Sequence, residues 1–310
     1  MSVSFYINNK KTFLKAKAPM KLKECLGFSS QKIDQFAFDE AQDNFDVKRF
    51  YNSSIADYEC LLCGVLGKSS RGFELSFDKG LNHYAVRVFT PSTQEDWQIA
   101  LTYIKDLAKK LGSDIVNERG EYFTAENIEQ FNYQEDILFG IKSYIENKDT
   151  DEYISFGIFR EAAFNRKIVE GFLNSENPIE AFSKFFKDIQ YLDAFSANQM
   201  FFEDNKTKNI IGIYALTQDT ETILPYKPSV EYKNRRIVKD EDISTWELSL
   251  AIINGNPDDK DSYQRAGVME YSDFMTRLPK DKYRFIDAKY ILIDALTKEE
   301  ILSILKKESG

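Results

Sequence analysis

The fold is decided by residues 72–114, which read GFELSFDKG at 72–80, HYAVRVFTP at 83–91 and STQEDWQIALTYIKDLAKKLGSD at 92–114. The first two runs hold apolar residues between turn residues, which is typical of paired strands. The third run repeats apolar residues at helical spacing from Trp97 to Leu111, which predicts an amphipathic helix. Two strands and a covering helix form the smallest unit that buries one face of a sheet.

The ends of this helix are marked by the sequence. Pro91 keeps the residue before it extended, and Ser92 with Glu95 fits a capping box. Two lysines in the last turn suit the negative end of the helix dipole, and Gly112 is suited to the C-terminal cap. The sequence therefore predicts a helix that opens within STQEDW and closes within KKLGSD.

The length of the chain favours two domains. At 310 residues and 36.0 kDa the protein is too long for a single small core. The polar stretch at 146–152, ENKDTDE, is the best candidate for a linker. The sequence predicts an α+β fold with mainly antiparallel sheets covered by helices, in an N-terminal domain (1–148) and a C-terminal domain (149–310).

An internal echo suggests a duplication of the α+β unit. Residues 97–101 read WQIAL and residues 246–250 read WELSL, and a second helix is predicted at 242–254, before the stop NGNP. Both tryptophans are then expected to open a helix, to be buried and to find a partner for the indole N–H. Capped amphipathic helices look alike by chance, so duplication remains one of two interpretations.

Two further segments carry predictions about local structure. Residues 30–50 hold Phe36, Phe38, Phe45 and Phe50 with many acidic residues between them, and we expect a mixture of short helix and strand there. Residues 170–177 are predicted to form a loop.

Charge and composition exclude several classes of protein. The net charge is −9, and neither half of the chain is basic, which argues against a nucleic-acid partner. Apolar runs stay shorter than the roughly 18 residues that span a bilayer, so no membrane association is expected. Three cysteines do not make a disulfide scaffold, and the N-terminus resembles no signal peptide. The sequence predicts a cytoplasmic protein.

Cys60 and Cys63 have the spacing of half a zinc site. Together with Cys25 and His83 they form the one Cys₃His set that the chain permits. The intervening leucines indicate a buried strand instead, so we expect structural cysteines, with Cys60 and Cys63 buried, and no metal.

Other familiar signatures fail at specific positions. The run from Gly64 to Ser69 is similar to a phosphate-binding loop, but Leu62 stands where the first glycine is needed. The acidic residues Asp258, Asp259 and Asp261 do not fit the frame of a calcium loop. His83 is the single histidine and lies near a predicted turn. No cofactor is predicted.

Three stretches carry a resemblance to a known family: SVSFYINNKK at the start, the WQIAL helix and IDAKYILIDALT near the end. With its length, the chain resembles a family of uncharacterised proteins from Firmicutes, the domain of unknown function DUF4299. The resemblance covers the whole chain and implies no activity, cofactor or site residue.

Two hypotheses about function follow. The first is a non-enzymatic protein of the immunity or partner-neutralising type, whose acidic charge favours a basic protein partner. The second is an enzyme whose site is assembled from dispersed Asp, Glu, Tyr and Arg. An exposed aromatic patch with an acidic rim would favour the first, and a pocket with convergent polar groups the second.

Overall fold

The computed structural model describes residues 1–10, 17–146, 152–231 and 234–306. The protein has an α+β fold with mainly antiparallel sheets, as the sequence predicts. It forms two compact units, unit 1 (Met1–Tyr191) and unit 2 (Leu192–Gly310). Most of the predicted linker lies outside the described residues, and the predicted domains 1–148 and 149–310 stay a prediction.

In the described residues, unit 1 is built on a seven-stranded antiparallel sheet. Its strands are β1 (Ser2–Asn8), β2 (Asp34–Gln35), β3 (Leu61–Gly64), β4 (Phe73–Asp78), β5 (His83–Phe89), β6 (Ile115–Asn117) and β7 (Tyr122–Phe123). They lie in the order β2-β3-β4-β5-β1-β6-β7, so β1 is an interior strand, between β5 and β6. Val3, Phe5 and Ile7 of β1 are all buried, because alternate side chains of a strand share one face.

A long helix packs against this sheet. The helices of unit 1 are α1 (Leu22–Gly27), α2 (Val47–Asn52), α3 (Gln94–Leu111), α4 (Tyr133–Glu146), α5 (Arg166–Leu173) and α6 (Pro178–Gln190). Helix α3 contacts β1 and β5. It begins after Thr93, one residue later than predicted, and ends at Gly112, whose φ of 59° is the left-handed conformation that favours glycine.

The end of unit 1 joins the same core. A hairpin of β8 (Glu152–Phe156) and β9 (Glu161–Asn165) precedes α5 and α6. The ring of Phe164 packs 5.9 Å from that of Phe182, and both side chains are buried in the hydrophobic core that includes α3. The prediction of a loop from residue 170 is wrong over 170–173, because Phe172 belongs to the buried face of α5.

Unit 2 contains two four-stranded sheets. The strands are β10 (Phe195–Ser196), β11 (Gln199–Glu203), β12 (Ile210–Thr217), β13 (Thr222–Pro225), β14 (Ile243–Ile253), β15 (Tyr263–Glu270), β16 (Tyr283–Phe285) and β17 (Tyr290–Ile293). One sheet has the order β11-β12-β14-β15 and the other β10-β13-β17-β16. Helices α7 (Tyr271–Arg277) and α8 (Lys298–Lys306) pack on β14 and β15.

The predicted helix at 242–254 is wrong. Residues 243–253 form strand β14, in which Leu248, Leu250 and Ile252 are buried at alternate positions. Trp246 therefore lies in a strand, whereas Trp97 lies in the first turn of α3. The expected partner of the indole is also wrong for Trp97, whose buried N–H has no hydrogen-bond partner among the described residues. The equivalence of the two tryptophans, on which the proposed duplication rested, is lost.

Candidate functional site

Residues 33–60, which we call the acidic aromatic segment, combine acidic and aromatic side chains. The segment contains seven acidic and two basic residues, a local charge of −5 against −9 for the whole chain. It also contains six aromatic side chains: Phe36, Phe38, Phe45, Phe50, Tyr51 and Tyr58. As the sequence predicts, short pieces of strand and helix, β2 and α2, form here.

Phe38 is the exposed member of an aromatic cluster. Its ring lies 5.2 Å from Phe50, 5.5 Å from Tyr58 and 6.4 Å from Phe45, measured between centroids. Phe50 is buried, whereas Phe38 is 38% exposed and Val47, at the start of α2, is 42% exposed. The segment thus presents apolar surface that is supported by the buried ring of Phe50 and the half-buried rings of Phe45 and Tyr58.

Acidic side chains surround that surface. Asp39, Glu40, Asp43 and Asp46 are all exposed. Asp46 caps α2 by accepting a hydrogen bond from the N–H of Arg49 at 2.9 Å. The carboxylate of Asp43 makes no hydrogen bond or ion pair within the described residues. We call the four acidic residues with Phe38 and Val47 the acidic aromatic face.

Glu40 links the loop of the acidic aromatic face to helix α2 through hydrogen bonds. Its Oε1 atom accepts hydrogen bonds from the amide of Gln35 at 2.7 Å and from the hydroxyl of Tyr51 at 2.5 Å. Burial and the bond to Glu40 raise the pKa of Tyr51 above its ordinary value, so the hydroxyl keeps its proton at neutral pH. These bonds hold Phe38 and the acidic rim in one arrangement.

A comparison with protein families adds to these observations. A family model described as a domain of unknown function, DUF4299, matches residues 2–304. The chain belongs to the DUF4299 family. No curated protein and no solved structure matches it.

In this DUF4299 protein the candidate zinc ligands do not form a site. Among the described residues, no group of three or more His, Cys, Asp or Glu side chains could hold a metal ion, and this includes Asp258, Asp259 and Asp261. Cys25 and Cys63 are buried, but Cys60 is half-buried, so the prediction of burial is wrong for Cys60.

Burial also makes the cysteines poor ligands and nucleophiles. It raises the pKa of the Cys25 thiol to about 12, with a smaller contribution from the charge of Glu24, and it raises the pKa of Cys63 as well. A nucleophilic cysteine must be a thiolate, which these two groups do not supply at neutral pH in the metal-free protein.

His83 is the first residue of β5, opposite Asp78 of β4. Its ring packs on Tyr6 at 4.9 Å, and burial lowers its pKa against the opposing effect of Asp78. The imidazole is therefore neutral near pH 7. Its neighbours Tyr6 and Asp78 lie on the adjacent strands β1 and β4.

The DUF4299 protein also holds a cavity with polar and apolar walls that no sequence motif indicates. It has a volume of about 500 Å³, and its lining includes Arg71, Arg87, Tyr144 and Ser155. These residues come from a loop, β5, α4 and β8, so they share no local motif. Within the part of the chain that the structure describes, no helix has both the length and the apolar character required to cross a bilayer.

Proposed function

We propose that this DUF4299 protein is a cytoplasmic, non-enzymatic protein of the partner-neutralising type, which binds a basic protein through the acidic aromatic face. The observation that carries the proposal is the half-exposed Phe38 ring, which is supported by Phe50 and Tyr58 and rimmed by four exposed carboxylates. Anchored aromatic side chains supply much of the binding energy at protein interfaces.

The charge of the face selects the kind of partner. A local charge of −5 attracts a Lys- and Arg-rich surface, accelerates the encounter and disfavours acidic partners. Because these carboxylates are exposed, dissolved salt screens them, so binding should weaken as ionic strength rises. The three free cysteines support a reducing compartment such as the cytoplasm.

The test compares two variants that change the net charge equally. Asp39→Asn with Asp43→Asn removes two of the four negative charges of the face. The amide oxygen introduced at position 39 can still accept the hydrogen bond that Asp39 accepts from the N–H of Ala41. Asp258→Asn with Asp261→Asn neutralises two exposed carboxylates in unit 2 and is the control. We expect the face variant to lose the partner in a pull-down from native lysate, and the control to retain it.

A crosslinking experiment then locates the contact. A photo-reactive amino acid replaces the exposed Ala41 in the face or the exposed Leu81 elsewhere in unit 1. The proposal requires a salt-sensitive, stoichiometric basic protein that crosslinks at position 41 and not at position 81. Equal binding by wild type and both charge variants would contradict it.

One observation favours an enzyme as a second candidate. Burial raises the pKa of Asp136 to about 6, although the hydrogen bond from Thr90 opposes the shift. Thr90 lines the 500 Å³ cavity, and perturbed carboxyl groups are common at catalytic sites. The test is turnover of compounds in a metabolite pool by the wild-type protein. Turnover that is lost in the Asp136→Asn variant would favour the enzyme over the binding protein.

A further inference from the structure

The cavity in unit 1 has the composition of a ligand site. Its volume of about 500 Å³ lies within the usual range for small-molecule sites. One part of its wall is polar, with two arginines and several hydroxyl groups. Another part is apolar and includes Phe89 and Ile154.

Arg71 brings a buried guanidinium to this cavity. The residue is 7% exposed. Its Nε atom donates to the carbonyl oxygen of Phe156 at 3.0 Å, and its Nη1 atom donates to that of Pro91. No carboxylate of the described residues lies within ion-pair distance of the guanidinium. Since a guanidinium carries five N–H groups, three of them are left for a ligand.

The nearest buried carboxylate, Asp96, is occupied by other donors. It accepts hydrogen bonds from the backbone N–H groups of Ser70, Arg71 and Gly72 at 2.8–3.0 Å. It also accepts a hydrogen bond from the hydroxyl of Thr93 at 2.7 Å. Asp96 therefore fixes the loop that carries Arg71 and does not bond to its side chain. Burial lowers the pKa of Arg71, but an arginine stays protonated at neutral pH.

Arg87 reinforces the positive potential at the same aromatic ring. The Cζ atoms of Arg71 and Arg87 lie 4.8 Å and 5.5 Å from the centroid of Phe89. Arg87 also pairs with Glu74 at 2.6 Å, so its charge is compensated within the protein. Within the described residues, Arg71 is thus the arginine of this wall that has no direct carboxylate partner, and it lies beside an aromatic ring.

A hydroxyl pair adds a hydrogen-bond donor. The hydroxyl of Tyr144 and the Oγ atom of Ser155 lie 2.5 Å apart. Burial raises the pKa of Tyr144, so both groups keep their protons near pH 7. Two hydroxyls have two protons, and one proton is used in the bond between them. The second proton is available to an acceptor in the cavity.

We propose that this cavity binds a small organic monoanion, a carboxylate carried on an apolar or aromatic body. Arg71 and the Tyr144–Ser155 pair hold the carboxylate, and the body packs against Phe89 and Ile154. This site lies outside the acidic aromatic face and extends the protein's function beyond the binding of a protein partner.

The charge of the ligand follows from that of the wall. The Arg71 guanidinium makes no ion pair within the described residues, and a planar carboxylate matches its free N–H groups. A phosphate dianion would bring a second negative charge, and the other arginine of the wall, Arg87, is already paired with Glu74. The cavity therefore favours a carboxylate over a phosphate monoester of the same size.

Three probes with one body test this ligand class in the full-length protein. Naphthoate, naphthamide and naphthyl phosphate share the aromatic rings and differ in charge. We expect calorimetric titration to show saturable binding of naphthoate, with about tenfold or greater weakening for the neutral amide. Absence of saturable naphthoate binding would overturn the proposal, and so would tighter binding of the phosphate.

Substitutions then locate the bound probe. Arg71→Met should weaken naphthoate binding at least about tenfold, because a charge-assisted hydrogen bond is lost. Arg236→Met removes an exposed arginine of unit 2 and should leave the affinity unchanged. Wild-type affinity in a folded Arg71→Met variant would refute the site.

A second variant keeps the test decisive if Arg71→Met fails to fold. Tyr144→Phe combined with Ser155→Ala removes both hydroxyls together, so neither is left without its partner. We expect thermal stability close to that of wild type and about threefold to tenfold weaker naphthoate binding. Unchanged affinity in this double variant would also overturn the assignment.

Discussion

Trp97 and Trp246 open two regions with similar patterns, WQIAL and WELSL, but with different structures. Trp97 lies in helix α3 and is fully buried, whereas Trp246 lies in strand β14 and is half-buried. Beyond these five residues, burial continues at helical spacing through Ile104 and Leu107 in α3, but at every second residue through Ile252 in β14. The periodicity of the residues that follow decides the structure.

The two regions are also fixed by different interactions. The loop that packs against the start of α3 is bonded to the buried carboxylate of Asp96. Strand β14 is held by backbone pairing on both sides, to β12 and to β15. The Trp97 region therefore depends on one side chain, and the Trp246 region on a distributed set of backbone bonds.

The largest effect is expected for Asp96→Ala. The substitution leaves three buried N–H groups without an acceptor, which costs about 1 to 3 kcal/mol for each group. We therefore expect the free energy of unfolding to fall by about 5 kcal/mol. The control is Asp106→Ala on the same helix, where the half-buried carboxylate accepts from Ser29 and Ser30 and water can replace it. Urea unfolding measures the stability of both variants. Equal losses of stability would contradict the role given to the buried carboxylate of Asp96.

The next effect compares the two tryptophans directly. Trp97→Ala should cost about 3 to 5 kcal/mol, because Trp97 is fully buried and stacks on Phe131 at 5.4 Å. Trp246→Ala should cost about 2 kcal/mol, because the half-buried indole stacks on one side against Tyr214 at 5.7 Å. Unfolding free energies in the reverse order would break the comparison.

A glycine substitution sharpens the description of the Trp246 region. Gly212 of β12 lies opposite Trp246, and a Cβ atom there would clash with the indole. Gly212→Ala should therefore cost about 1 to 3 kcal/mol. Gly171→Ala in α5 meets no atom within 4 Å and should be neutral or stabilising.

Combining the substitutions tests the cause of the Gly212 effect. In a Trp246→Ala background the clash is gone, so Gly212→Ala should cost much less than it does alone. If the stability losses of the two substitutions simply add, the effect of Gly212→Ala arises elsewhere in β12 and not from a clash with the indole.

The smallest expected effect depends on pH and concerns the residues before α3. Burial raises the pKa of Asp136, which accepts a hydrogen bond from Thr90, to about 6. The folded state then binds this proton more tightly than the unfolded state. Stability should fall as pH rises from about 4 to about 6, by on the order of 1 kcal/mol after allowance for solvent screening. Asp136→Asn should remove this slope in unfolding measurements.

Asp106→Asn is the control for that slope, because its sign is opposite. Burial acts to raise the pKa of Asp106, but the hydrogen bonds from Ser30 and Ser29 lower it below its ordinary value. The stability that Asp106 contributes is therefore present above the pKa of this residue in the unfolded state, and it is lost as pH falls through the pKa in the folded state. Removal of the same slope by both variants would contradict the assignment to Asp136.

The α+β class and helix α3 follow from the sequence, because their signals are local: period, caps and turn residues. Strand β14 was assigned wrongly because the first residues after Trp246 fit either period. Helix α5 was missed because Gly171 suggests an interruption, although nothing in the fold requires one there.

The aromatic and acidic residues of the face were visible in the sequence, but the arginine cavity was not. Its residues lie far apart in the chain and meet only after β5, α4 and β8 have packed. The role of Asp96 depends on backbone groups 24 to 26 residues away, which no local pattern indicates.

The interior position of β1 has a consequence for how the protein is made. Strand β1 leaves the ribosome before the other strands of its sheet, but its neighbour β6 is complete only once residue 117 has been added. At about 5 to 20 residues per second, that interval is roughly 5 to 20 s. During it the nascent chain carries β1 without its second neighbour, and the middle of the sheet can close only after most of the sheet has been synthesised.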